Sequence, residues 1–180
     1  YDPAYPYLIN SLNLAQFSGY GVGLINHPGT TVQELGAVVI LISHIFRPGS
    51  GDLVTDVFEE PEYYLHKIFL TFLFMYFSAL FVLGISVLKT IKSLKAALFI
   101  QLTPLSFYAE DVLFQMTNIC VEPLPVISIL LLISLIFIYI HKNKLTGNSI
   151  TYPLIFGLLC GFSLATKISF FPVMFIPLFI

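Results

Sequence analysis

An all-α, polytopic helical membrane protein is the fold class this sequence predicts, and three observations predict it. Apolar residues make up 57% of the 180 and only 10% are charged, against about 25% charged in a soluble domain. The mean hydropathy is +0.91. Two long runs, residues 63–88 and 123–140, contain no carboxylate, and each is followed by lysines: Lys89, Lys92 and Lys95 after the first, Lys142 and Lys144 after the second. A bilayer core of ~30 Å offers the backbone no water, so ~20 consecutive apolar residues cross it as a helix. The net charge of -2 averages acidic and basic loops that need not share a side of the membrane.

In chain order, Asp2-Pro3 and Tyr5-Pro6 push the preceding residues toward extended geometry, so no helix is expected before Pro6. Leu8, Ile9, Leu12 and Ala15 then share one helical face. Asn10 and Asn13 lie on the other, which predicts a short interfacial helix with its amides toward water. Gly19, Gly21 and Gly23 break regularity. The GYGVG run shares only composition with a potassium filter. His27-Pro28-Gly29-Thr30 forms a turn, after which Thr30 or Thr31 caps the next helix with Gln33 or Glu34 reaching back. Residues 31–46 fall short of a full span and read as an interfacial or partly buried helix.

Sidedness follows from the lysines. Basic residues collect on the cytoplasmic side, so both lysine clusters are expected inside and the chain must cross twice between them, over 96–109 and 123–140. That places Glu110, Asp111 and Glu122 outside with the first 62 residues. A fourth crossing starts near Ser149, and 18 residues at 1.5 Å bring Lys167 about 27 Å further, to the outer face. The expected organisation is one transmembrane domain over 1–180: an outer loop with interfacial helices (1–62), spans near 63–88, 96–109, 123–140 and 149–167, and a further apolar segment from 168. The opening on Tyr1 and the close within an apolar run read as a piece of a longer protein. No signal-peptide pattern or N-x-[ST] sequon is present.

Each candidate residue has a plain reading beside a functional one. Asp2 caps a helix or stands as a free carboxylate; His27 is a solvated loop residue or an anion ligand; Glu122 is an exposed acid at a helix start or part of a site. Lys167 snorkels to the interface or marks a pathway. Gly157, Gly161 and Ala165 form a small-residue stripe read as close helix packing. Asp52, Asp56 and Glu59 share a face if helical and then offer a divalent cation three carboxylates; the alternative is a solvated acidic loop. Cys120 and Cys160 read as inert, semi-buried thiols.

The order Tyr-Asp-Pro-x-Tyr-x-Tyr-Leu-x-Asn-Ser-Leu-Asn-Leu from Tyr1, followed by His-Pro-Gly-Thr from His27, resembles the first external loop of the C-type (GT-C-like) membrane glycosyltransferases. It is most similar to their bacterial branch related to dolichyl-phosphate-mannose-protein mannosyltransferases. The resemblance implies that Asp2 is the catalytic acid of the loop, with Glu122, in Val-Glu-Pro-Leu, assisting. His27 and Lys167, the latter in Gly-Phe-Ser-Leu-Ala-Thr-Lys, would bind the substrate's lipid phosphate, and Tyr7 and Asn10 lie in the substrate-binding loop helix. It further implies a multi-pass protein of the bacterial inner membrane, facing the periplasm or exterior. The donor would be a polyprenyl-phosphate sugar, the acceptor a glycan, lipid or protein, and the first span would precede Tyr1. Many relatives carry a second acid two positions after the first, where this chain has Ala4, so a two-carboxylate or metal mechanism is not implied. No cofactor is assigned, a divalent cation being the one candidate, and no nucleic-acid partner is expected. A transporter or flippase subunit for a lipid-linked or anionic substrate is the alternative function.

Overall fold

The computed structural model describes residues 4–17, 30–47, 51–107, 123–146 and 151–166, and among them every regular element is a helix. Helix α1 is Ala4–Ala15, α2 Thr31–Ile45, α3 Leu53–Glu59, α4 Pro61–Ile91, α5 Leu94–Phe107, α6 Pro123–Thr146 and α7 Thr151–Thr166. Two of them, α4 and Pro123–Lys142 within α6, are long and apolar enough to cross a membrane; α2 and α7 are shorter apolar helices.

Several local expectations need correction. Helix α1 begins at Ala4, two residues ahead of Pro6. The first four N–H groups of a helix have no intrahelical acceptor, so a proline at the third position forfeits no helical hydrogen bond. Asn10 is buried, with its amide nitrogen donating to the Pro6 carbonyl at 2.8 Å, instead of facing water. Thr30 occupies the N-cap of α2 but makes no side-chain cap. Its hydroxyl donates instead to the Glu34 carboxylate, at 2.6 Å. The segment after Asp52 is not a solvated loop. Asp52 accepts from the Val54 N–H at 3.2 Å and caps α3, and Pro61 starts α4 where its missing N–H costs nothing.

Four helices form a bundle. Lys92, in the left-handed conformation (φ 58°, ψ 26°), ends α4 and turns the chain into α5. Helix α5 returns antiparallel, so that Gln101 lies against Gly84. The rings of Tyr139 and Tyr152, 5.6 Å apart, mark the equivalent return of α7 along α6. Helices α4 and α6 run in the same direction: the Thr90 hydroxyl donates to the Phe137 carbonyl at 2.9 Å. The buried side chains of α6, from Leu124 to Leu135, face the buried stripe Tyr76, Leu80, Leu83 and Val87 of α4. This register leaves about the first 15 residues of α4, or roughly 22 Å at 1.5 Å each, projecting beyond the start of α6.

Helices α1, α2 and α3 clothe that projection. Tyr64, Ile68 and Phe72 of α4 are fully covered, together with Leu8 and Leu12 of α1 and Val32 and Ile40 of α2. Gly36 makes the α1–α2 approach close, since a Cβ there would lie 2.2 Å from the Ser11 hydroxyl oxygen. A hydrogen bond from the Tyr5 hydroxyl to Glu62 ties α1 to the start of α4. The stripe Gly157, Gly161 and Ala165 faces outward. Among the described residues nothing lies within 4 Å of a Cβ built on either glycine, so α7 packs through Cys160, Ser163 and Thr166 instead.

Candidate functional site

The densest polar constellation among the described residues is built where α2 ends and α4 begins. His44 and Arg47 lie three positions apart at the end of α2, and the short helix α3 carries Asp56 across to them. The Asp56 side chain is only 7% exposed. A carboxylate so placed is costly unless fully partnered. His44 Nδ1 and Arg47 Nη1 each lie 3.1 Å from one of its oxygens, and the Tyr64 hydroxyl donates to the oxygen that His44 shares. Arg47 also reaches toward Glu60 at 3.9 Å.

Tyr63, edge-on to Tyr64 at 5.2 Å, extends the cluster toward solvent. The Arg47 guanidinium lies 4.9 Å and the Lys67 ammonium 5.1 Å from its ring centre, within cation–π range. Burial pushes the Asp56 carboxyl upward. The hydrogen bonds from Tyr64 and His44, with the charge of Arg47, outweigh burial and hold it below the usual carboxylate range. An ionised carboxylate only accepts, so His44 presents its Nδ1–H to Asp56. Chemically the arrangement is an oriented imidazole backed by a carboxylate, with two cations around one tyrosine ring. It also pins three helices together.

Of the residues singled out from sequence, the structure places Tyr7 and Asn10, both buried and one turn apart on the inner face of α1. The Tyr7 carbonyl accepts from Ser11 at 2.7 Å, beside Gly36 of α2. Asp2, His27, Asp111, Cys120, Glu122 and Lys167 lie outside the described residues. What the structure does join are two neighbours of that set: the Thr31 hydroxyl, opening α2, donates to the Thr166 hydroxyl, closing α7, at 3.0 Å. The carboxylates Asp52, Asp56 and Glu59 form no cation site. Asp52 is spent on its helix cap and Asp56 on two donors and the charge of Arg47, and no group of three metal-ligating side chains occurs among the described residues. Cys160 is a buried free thiol.

Sequence reading missed the Asp56 cluster because it weighed the acids of 52–62 by themselves. The signal was His44 in the last turn of α2 and Arg47 just past its end, three positions apart and ahead of that acidic stretch. Comparison of the chain with protein-family models, with curated proteins and with solved structures finds no match.

Proposed function

We propose that the protein is a polytopic membrane glycosyltransferase of GT-C-like architecture. In this reading it moves a sugar from a polyprenyl-phosphate carrier to an acceptor hydroxyl at the outer face of the plasma membrane, with inversion. The observation that carries the reading is the Thr31–Thr166 hydrogen bond. Thr31 directly follows the His27–Thr30 turn and Thr166 directly precedes Lys167, so described residues adjoining both expected phosphate-binding positions touch across the fold.

Membrane placement is supported by the bundle surface. On α4 the exposed side chains from Phe74 through Phe77, Phe81, Val82, Ile85 and Leu88 to Ile91 are apolar apart from Lys89 near the end. They run beside the candidate span of α6 and cover about 26 Å at 1.5 Å per residue, close to a hydrocarbon thickness. In that frame α1–α3 and the Asp56 cluster lie at one face and Lys89, Lys92, Lys95 and Lys142 at the other.

The chemistry is a single displacement. Asp2 takes the proton of the acceptor hydroxyl as its oxygen attacks the anomeric carbon, Glu122 assists, and the bond from that carbon to the phosphate oxygen breaks. Lys167 and a protonated His27 offset the charge left on the polyprenyl phosphate. Tyr7 and Asn10, turned inward, help to hold α1 in place. A transporter would need polar groups along the middle of the bundle, yet no charged residue stands on α4 between Lys67 and Lys89. The test is incubation of membranes carrying the protein with radiolabelled polyprenyl-phosphate sugar. Label should pass to a lipid-free or acceptor fraction, and Asp2→Asn should reduce transfer by about 10²-fold or more. Equal transfer by Asp2→Asn removes the base assignment, and no transfer with any carrier removes the reading.

A further inference from the structure

We infer that the end of the bundle where α4 turns into α5 beside α6 is a binding surface for anionic phospholipid headgroups. Lys89, Lys92, Lys95 and Lys142 are all exposed there. They come from three helices, and the fold gathers them. The Thr90 hydroxyl, adjacent to Lys89, reaches the Phe137 carbonyl of α6 at 2.9 Å. Lys142 is five residues beyond Phe137, a rise of about 7.5 Å, and its ammonium lies 5.7 Å from the centre of the Tyr152 ring. Lys92 and Lys95 flank the tight turn between α4 and α5.

The sequence around these lysines carries no acidic side chain, there being no Asp or Glu over residues 63–109 or 123–180. What selects a lipid over a soluble acidic partner is the alternation of charge with exposed apolar side chains. Leu88, Ile91 and Leu94 immediately precede Lys89, Lys92 and Lys95, at 39%, 45% and 62% exposure. Phe99 adds a side chain 75% exposed one turn further. Such a surface offers an acyl chain apolar contact and an anionic headgroup several ammonium groups at the same time, with the lysine stems lying along the apolar part.

The inference rests on the membrane placement of α4 and α6 and is independent of sugar transfer. Its test uses the protein in phosphatidylcholine vesicles carrying trace spin-labelled phosphatidylglycerol or spin-labelled phosphatidylcholine. Flotation with the vesicles reports membrane placement separately. The labelled phosphatidylglycerol should associate with the protein severalfold more strongly than phosphatidylcholine. The preference should fall toward unity in 1 M salt, where the screening length shrinks to about 3 Å. Each single Lys→Gln change should lower it stepwise, K89Q/K92Q/K95Q/K142Q should abolish it, and the matching Lys→Arg changes should retain it. The salt arm on the unaltered protein stands even if the fourfold variant fails to insert. A preference absent, insensitive to salt, or unchanged by neutralisation overturns the inference. Poly-glutamate binding that is lost on neutralisation, with no preference for phosphatidylglycerol, would assign the surface to a soluble acidic partner and overturn it equally.

Discussion

Asp56 is the side chain on which the polar cluster turns, because its position inside the α2–α3–α4 junction is tenable only while it is ionised and surrounded by donors. Replacing it with alanine leaves Arg47, His44 and Tyr64 facing one another without the charge that organises them. The expected cost is about 2–4 kcal/mol, read as a lower midpoint of thermal unfolding in detergent. Tyr64→Phe removes one hydrogen bond to a charged acceptor and should cost about 1.5–3 kcal/mol. The sign of the pH effect follows from the depressed carboxyl. The folded state binds its proton less readily than the unfolded chain, whose value is about 3.9. The stabilisation is therefore complete above about pH 4 and is lost as pH falls through the lower, folded value. Melting temperature measured from pH 6 to pH 2.5 should drop steeply in the unaltered protein below about pH 4, and Asp56→Asn should remove that component of the drop.

At the scale of elements, two glycines at helix crossings make opposite predictions. A Cβ at Gly36 meets the Ser11 hydroxyl oxygen at 2.2 Å and Ser11 Cβ at 2.9 Å, both close to a helix backbone, so α1 and α2 would have to separate. Gly36→Ala should therefore destabilise by about 1–3 kcal/mol, with better recovery by Ser11→Gly than by Ser11→Ala, which keeps the offending Cβ. A Cβ at Gly84 meets only the mobile amide end of Gln101, at 2.8 Å. Gly84→Ala should be neutral within about 1 kcal/mol, the gain in helix propensity offsetting a shifted amide. Unfolding midpoints of the two variants in one detergent provide the comparison. What could be read from sequence at this scale were the elements whose stability is their own. The apolar runs within α4 and α6, and the helix from Thr31, are set by hydropathy and length alone. Helix α3 was not readable, because seven residues hold a helix only through the Asp52 cap and the grip of His44, Arg47 and Tyr64 on Asp56. The stripe at Gly157 and Gly161 meets none of the described residues, for a related reason: small residues permit a close approach, but only the fold decides which face of α7 is offered.

For the whole molecule, the lysine distribution predicts helix directions relative to a membrane, and the contacts of the structure give the directions of the helices relative to one another. Thr90 against Phe137, Gln101 against Gly84 and Tyr139 against Tyr152 make α4 and α6 run one way and α5 and α7 the other. This brings Lys89, Lys92, Lys95 and Lys142 to one end and leaves the acids of α3 at the opposite end. The candidate site was less readable than the bundle, since it depends on contacts between segments far apart in the chain, such as Thr31 with Thr166. If the bundle crosses a bilayer, these two ends must lie in different compartments. With Cys120 and Cys160 replaced by serine, a single cysteine at exposed Glu59 should react with a membrane-impermeant maleimide in intact cells. Cysteines placed one at a time at Lys95 or Lys142 should react only after permeabilisation. Labelling of Lys95→Cys and Lys142→Cys from opposite sides would mean that α4 and α6 do not cross together, and the outer-face transferase reading would lose the frame in which Thr31 and Thr166 meet. Labelling of all three from the same side would show that the bundle does not cross the membrane as proposed. Neither result can be produced by a defect in sugar transfer, which is why labelling, and not activity, decides the architecture.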